Sequence, residues 1–249
     1  MLRKRLGIIE WLEFEIFQEV PNFVHGVFLR HGGVSVGEFS SLNVGRSQGD
    51  DLIAVDTNLK KIREILDVPL LSFAKQHHSP FVCEVTQGDK ERPLCDALVT
   101  QEQGLGLLLN HADCQVAIIV DPVRRVLANV HAGWRGNVQN IYKNTIDTLK
   151  QKFHSKPEDL LVGISPSLGP EASEFINYRT EFPETFWTFQ YRPHYFNLWE
   201  ISRWQLECCG VLTSHIEIAS ICTYTNSADF FSYRREKKSG RHATAAAFL

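Results

Sequence analysis

The sequence predicts an α/β (α+β-like) fold, a single domain over residues 1–249 with a central mixed β-sheet flanked by helices. Two kinds of segment predict it: short apolar runs bounded by turn residues, and longer stretches with apolar positions every three or four residues. The two kinds interleave along the chain, as they do when helices cover a mixed sheet. Residues 23–29 open the series as a strand that stops at the turn signal His31-Gly32-Gly33 and a loop holding Ser35, Gly37 and Ser40. Residues 56–67 read as a helix, because Leu59, Ile62, Ile65 and Leu66 share one face and Pro69 lies just beyond. Residues 105–110, 114–120 and 126–130 are apolar enough to be strands buried on both faces. Residues 137–153 carry Val138, Ile141, Tyr142, Ile146, Leu149 and Phe153 on one helical stripe, with Asn137 as the expected cap. A strand at 160–164, a helix at 198–209 and a β-branched strand at 216–221 complete the pattern. No repeat or Pro/Ser-rich linker divides the chain.

Composition narrows the function. With 249 residues, 43% of them hydrophobic, and a mean hydropathy of -0.17, the chain can bury a sizeable core. Its 26 Lys+Arg against 29 Asp+Glu leave a net charge of -3, so phosphate backbones and anionic lipid exert no general attraction. No apolar run approaches the ~20 residues of a membrane span. Neither nucleic acid nor membrane is expected as a partner. The basic residues Arg3, Lys4 and Arg5 imitate a signal peptide, but Glu10, Glu13 and Glu15 interrupt the apolar segment that should follow, so this stretch reads as native chain. Six cysteines with no C-x-x-C pair fit a reducing cytoplasm, and any metal site must gather ligands distant in sequence.

Reactive residues concentrate in three places: Gln76-His77-His78, His111-Ala112-Asp113-Cys114, and His131-Ala132-Gly133-Trp134-Arg135-Gly136. If strands bring them together, two imidazoles and a thiolate make a three-donor set, the number that catalytic zinc takes while keeping a fourth position open. On spacing alone the commoner explanation is structural, a buried thiol and hydrogen-bonded histidines. His77 and His78 face opposite ways if extended, so only one can join the set.

The motifs resemble those of the YfiH family, the laccase-domain or polyphenol oxidase-like proteins. Lys75-Gln76-His77-His78 is similar to Lys-Gln-x-His, Ala112-Asp113-Cys114 to Ala-Asp-Cys, and residues 131–136 to His-Ala-Gly-Trp-Arg-Gly. Further similarity runs from Arg30, Gly32-Gly33 and Ser41-Leu42-Asn43 through Gly49-Asp50-Asp51 to Cys222-Thr223, Phe231-Ser232-Tyr233-Arg234-Arg235 and Gly240-Arg241. The resemblance implies zinc on His78, Cys114 and His131 in a monomeric cytoplasmic enzyme. It also implies phosphorolysis of adenosine, inosine, guanosine and methylthioadenosine, with deamination of adenosine to inosine.

Deamination needs water activated at neutral pH, which zinc provides, and a carboxylate such as Asp113 to move the proton or orient a ligand. With Cys114 and His131, Asp113 completes the expected catalytic set. Phosphorolysis needs a grip on an anion. Arg30, Arg135, Arg235 and Arg241 are the expected cations for it, with Arg234 beside them, and the Gly133–Gly136 turn offers N–H groups at a helix start. Lys75, Gln76 and Asn43 are expected to contact substrate, each with a structural alternative, and Trp134 either stacks on the base or packs the core. The chain departs from the family at Asn110-His111, at Ser47, where a histidine is frequent, and at Glu171-Ala172-Ser173 after Gly169-Pro170.

Three other readings compete. Copper-dependent phenol oxidation lacks an axial methionine beyond Met1 and any His-x-His pair among ten histidines, although copper can load a zinc site adventitiously. A cysteine hydrolase would use Cys114 as nucleophile and His131 as base. A non-enzymatic protein would hold zinc or a nucleoside without turnover.

Overall fold

The structure, a computed structural model, describes residues 1–89 and 91–249. Its strands form two six-stranded mixed sheets and a two-stranded ribbon, so the expected central sheet is divided between two layers. The first sheet has the order β1 (Leu2–Leu6), β2 (Ile9–Glu13), β3 (Phe23–Phe28), β14 (His242–Phe248), β7 (Leu105–His111), β4 (Leu70–Phe73). The second runs β13 (Ile216–Ile218), β10 (Leu161–Ile164), β8 (Gln115–Asp121), β9 (Val126–Ala132), β6 (Ala97–Thr100), β5 (Val82–Glu84). β11 (Gln190–Arg192) and β12 (Tyr195–Phe196) make the ribbon.

Period-two alternation explains the layering. Along β8, Val116, Ile118 and Val120 enter the core between the sheets while Ala117 and Ile119 face outward to helices. Along β7, Leu105, Leu107 and Leu109 join that central core and Leu108 points the other way. Both faces of these strands are dry, as their unbroken apolar sequence requires. Helix α1 (Leu52–Leu66) covers the first sheet through Val55, Leu59, Ile62 and Leu66. Helices α3 (Ile141–Phe153) and α5 (Leu198–Cys208) cover the second through Ile141, Tyr142, Ile146, Leu149 and Leu206. The result is four layers, α/β/β/α. Short helices α2 (Trp134–Val138), α4 (Tyr178–Glu181) and α6 (Tyr233–Glu236) lie in connections.

The expected helix at 137–153 begins later. Asn137 lies buried inside α2, and Asn140 caps α3 by accepting from the Lys143 N–H. α1, by contrast, begins earlier than residue 56 because the Asp51 side chain caps it at the Ile53 N–H.

Strand direction positions the reactive segments. β4 runs parallel to β7, so both deliver their C-termini to the same end. β8 starts there after the 112–114 turn, and its antiparallel pairing sets Gln115 opposite Ala132, next to the end of β9. β6 begins opposite Val130, and β14 begins opposite His111. The chain therefore passes this end of the sandwich at residues 74–78, 96, 111–114, 131–135 and 241.

Candidate metal centre and its cavity

At that end the ligand atoms of His78, Cys114 and His131 all lie within 4.8 Å of one another. Cys114 Sγ sits 3.8 Å from His78 Nε2. His131 is buried one residue before the end of β9; His78 is exposed and held at φ +62°, a left-handed conformation rare for a residue with a Cβ. Such strain persists where the surroundings over-determine it. Gly133 leaves the room that the donors use: a Cβ there would lie 2.8 Å from His78 Cδ2 and 2.9 Å from Cys114 Sγ.

Asp96, which the sequence reading missed, organises this set. Its Oδ1 accepts from His131 Nδ1 at 2.9 Å and from the His78 N–H at 3.0 Å. Its Oδ2 accepts from the N–H of His77 at 3.1 Å, the N–H of Ser79 at 2.7 Å and the Ser79 hydroxyl at 2.8 Å. The carboxylate thus takes the His131 Nδ1 hydrogen and turns Nε2 toward the other donors, the usual carboxylate–histidine–metal arrangement. His77 stays out of the donor set: its Nδ1 lies 3.5 Å from Asp96 Oδ2 and its ring packs against Phe81 at 6.0 Å. The only sequence signal for Asp96 is an acid placed just before a dry strand.

Electrostatics agree with a thiolate. Burial resists ionisation of Cys114, yet the charge of His131 and hydrogen bonds from both imidazoles outweigh it and bring the thiol down to about 6. Burial also disfavours the His131 imidazolium, but the Cys114 thiolate and the Asp96 hydrogen bond raise it to about 9. The donor set is N, S, N with a carboxylate behind it, and it fits a zinc-type ion with one open position.

His111 is buried next to these residues. Its Nδ1 lies 2.9 Å from the Cys114 carbonyl and its Nε2 2.8 Å from Thr244 Oγ1. A carbonyl only accepts, so Nδ1 carries the hydrogen and Nε2 accepts from the threonine. Burial, the charge of His131 and that of Arg241 hold this ring neutral, pushed down to about 3. His111 therefore braces the turn that presents Cys114.

The donors open into a cavity of about 760 Å³. Among the described residues, Asp113 is the one acid in its lining, against Arg46, Lys75, Arg92, Arg135, Arg234, Lys237 and Arg241. A chain of net charge -3 has concentrated cations here. Of the expected substrate contacts, Lys75, Gln76, Arg135 and Arg241 line this space. Gln76 uses its amide on Asn110, accepting from Nδ2 at 2.9 Å and donating to the carbonyl at 2.8 Å. Arg241 anchors one nitrogen on the Ser239 and Gly240 carbonyls, at 2.8 and 3.0 Å. Trp134 lines the cavity and also packs against Phe175 and Phe182.

Arg30, Asn43 and Arg235 are not in the cavity lining, and their polar groups are engaged elsewhere. Arg30 donates to the Ser40 and Ser227 carbonyls and lies over Phe231. Asn43 is fully buried, bonds Asp50 and Gly45, and accepts from the Arg241 N–H, so it shapes the loop that carries the cations. Arg235 donates to the carbonyls of Thr223, Tyr224 and Phe230. Asp113 is in the lining, but its carboxylate accepts from the Thr223 hydroxyl at 2.7 Å and the Arg234 N–H at 2.6 Å, tying α6 to the 112–114 turn. The Gly133–Gly136 turn leads only into the five-residue α2, whose few aligned peptides sum to a weak dipole.

Fold and site together define a class: a four-layer α/β protein with a three-donor N, S, N centre at the floor of a cation-lined cavity. Within that class the chain belongs to the family described as multi-copper polyphenol oxidoreductase laccase, which matches residues 24–248, and it is a YfiH-family protein. It is 30% identical over 251 residues to a purine nucleoside phosphorylase of Bacteroides thetaiotaomicron, covering 92% of this chain and 93% of that one. It is 32% identical over 234 residues to the purine nucleoside phosphorylase YlmD of Geobacillus stearothermophilus, covering 86% and 85%. The crystal structure of YlmD from Geobacillus stearothermophilus superposes with a TM-score of 0.87 at 29% identity over 98% of this chain and 97% of that one. That of the hypothetical protein YfiH of Bacillus licheniformis gives 0.86 at 27% identity over 97% of each.

Proposed function

We propose that this protein is a zinc-dependent purine nucleoside enzyme. It phosphorolyses adenosine, inosine, guanosine and methylthioadenosine, and it deaminates adenosine. The observation that carries the reading is the convergence of His78, Cys114 and His131 at the floor of a cavity whose lining is cationic. The names of the relatives at 30% and 32% identity supply the substrate class. Its volume of about 760 Å³ falls in the range of small-molecule sites.

Zinc bound by these donors would supply Lewis-acid polarisation and water activation at neutral pH. The chain's own residues do the rest. Asp96 accepts the His131 Nδ1 hydrogen and turns Nε2 toward the other donors, where zinc would take the place of its proton. His111 and the Asp113–Thr223 bond keep the Cys114 turn in place, so we assign Asp113 to positioning rather than to proton transfer. Arg135, Arg241 and Lys75 supply cations to the space where phosphate and the developing sugar charge must meet.

A thiol mechanism has one observation in its favour, the Asp96–His131–Cys114 alignment. The second imidazole aimed at the same sulfur, His78, has no role there and a direct one in metal binding. We place the protein in the cytoplasm as a monomer, in keeping with its free cysteines. Among the described residues no helix is long and apolar enough to cross a membrane.

The test is incubation of metal-analysed protein with adenosine, with and without phosphate, followed by separation of inosine, adenine and ribose 1-phosphate. Product that disappears with a chelator and returns with zinc is the expected result. Zinc-replete protein that forms none of the three refutes the proposal, and turnover untouched by the chelator turns it toward the thiol mechanism.

A further inference from the structure

His78 is the one metal donor that a loop supplies. Cys114 leads directly into β8 and His131 lies on β9, whereas His78 sits in the 74–81 connection between β4 and β5. Its left-handed φ of +62° needs support on both sides of the residue. On the N–H side Asp96 accepts from His77, His78 and Ser79. On the carbonyl side the partners are two carboxamides from the helices that follow β9. Gln139, which caps the C-terminal end of α2, donates from Nε2 to the His78 carbonyl at 3.0 Å. Asn144, on α3, donates from Nδ2 to the Pro80 carbonyl at 3.1 Å. The connection is thus gripped between an acceptor facing its N–H groups and donors facing its carbonyls.

Gln139 is itself fixed. Its backbone N–H donates to the Arg135 carbonyl at 3.1 Å, and its Nε2 reaches the same carbonyl at 2.9 Å. Carbonyls only accept, so the nitrogen of the carboxamide, with one hydrogen for each, must face the pair. The side chain is exposed, lies outside the cavity lining and makes no other hydrogen bond among the described residues.

We propose that Gln139 is a positioning residue for the centre, holding the His78 carbonyl so that the imidazole stays turned toward Cys114 and His131. The ring it aims has His78 Nε2 3.8 Å from Cys114 Sγ and stands 5.0 Å from the His131 ring at 68°. With the carbonyl unheld, only the Asp96 side of the grip opposes relaxation of His78 toward the φ values that residues with a Cβ prefer. That relaxation carries the imidazole away from the two donors on the strands. A tetrahedral ion needs all three at once, so the loss appears as affinity. The proposal rests on the metal reading above and is independent of nucleoside turnover.

Competitive chelator titration of zinc, with urea unfolding of the apo-protein beside it, tests this. Gln139→Met keeps the length of the side chain and removes the donor. Zinc affinity should fall roughly tenfold, the lower end of what a lost partner of a ligating residue costs. Apo-protein stability should stay close to wild type, because the side chain is exposed. Gln139→Lys, which keeps an N–H donor, should recover part of the affinity. Cobalt(II) in place of zinc gives a second readout: in Gln139→Met the visible bands of the four-coordinate ion should weaken as water replaces the His78 imidazole, while the thiolate charge-transfer band persists. A role in folding alone would lower stability and leave both affinity and spectrum unchanged, which overturns the proposal. If Gln139→Met does not fold, Gln139→Glu takes its place; it sets an oxygen against two carbonyls and should lose at least as much affinity. Wild-type zinc affinity in that variant overturns the proposal equally. Wild-type protein that binds neither zinc nor cobalt refutes the metal reading itself, and this proposal with it.

Discussion

Asp96→Asn probes the centre most directly, because the residue touches no substrate and holds two of the three donors. The carboxylate accepts from His131 Nδ1, the N–H groups of His77, His78 and Ser79, and the Ser79 hydroxyl. An amide keeps one acceptor oxygen and replaces the other with a donor. If the NH2 takes the Oδ1 position, the His78 N–H and the His131 ring lose their acceptor; if it takes Oδ2, three donors face it. Each buried donor left unmatched costs about 1–3 kcal/mol, so unfolding stability should fall by roughly 2–6 kcal/mol. Zinc affinity should fall about 10–100-fold, the usual effect of losing the carboxylate behind a ligating histidine.

Competitive chelator titration at pH 7 reads the affinity, and urea unfolding of the apo-protein reads the stability. pH adds a second arm. Burial opposes ionisation of Asp96, but His131 and the surrounding N–H donors overcome it and hold the carboxyl well below the usual carboxylate range. A depressed folded-state pKa means that the contribution is complete above the unfolded value of about 3.9 and is lost as pH falls below it. The variant should lack that acid-limb loss. A folded Asp96→Asn protein with wild-type zinc affinity would show that the carboxylate does not orient the donors, and the account of the centre would fail.

Gly133→Ala should remove zinc and activity together with little loss of fold, since the added methyl meets His78 and Cys114 Sγ at under 3 Å; metal analysis of the purified variant checks it. His111→Ala should raise KM for zinc-dependent turnover less than it lowers kcat and should loosen zinc, because the Cys114 carbonyl and Thr244 hydroxyl both lose their partner. His25 is buried among Phe14, Phe17 and Phe23, accepts from the Phe14 N–H at Nε2, and has its pKa pushed down by burial to about 4. The unfolded chain takes up that proton first. Stability from this group is therefore complete above about 6.5 and falls by roughly 3 kcal/mol as pH drops to about 4. His25→Gln should flatten that slope in urea titrations at pH 7 and pH 4; an unchanged slope would contradict it.

Legibility in the sequence followed how local the cause was. β7, β8 and β9 were readable because both faces of each are buried, which makes the run itself apolar. β14 was not readable: His-Ala-Thr-Ala-Ala-Ala-Phe has the composition of a helix, yet it is a strand between β3 and β7. Ala243, Ala245 and Ala247 are small because α1 closes over that face, a tertiary reason that no local propensity records. The short β5 and β6 were missed because their pairing partners, β6 and β9, supply what their own length does not. At the site, histidines and a cysteine announce themselves by type. Asp96, Arg46 and Arg92 do not, since surface acids and arginines are common and only the converging strand ends make these different. Arg30 and Arg235 show the reverse, motif residues whose guanidinium groups tie backbone loops together.

The family description and the names of the relatives point to different chemistries, one oxidative and one phosphorolytic, and the donor set bears on which applies. Among the described residues one group of three or more His, Cys, Asp and Glu side chains has metal-binding geometry, and it offers a single seat. A blue-copper site adds a weak axial ligand such as methionine, and Met1 is the sole methionine, on the N-terminal strand side where its amino group pairs with Glu15. The donors that are present, two imidazoles and a thiolate braced by a carboxylate, suit zinc and are also the equatorial set of a copper centre. The Irving–Williams order nevertheless places copper above zinc on such ligands, so protein exposed to copper will carry it. Phenol oxidation should then track copper content across preparations, while nucleoside turnover should track zinc. Nucleoside turnover that rises with copper in zinc-depleted protein would show that zinc is not the ion this reaction requires.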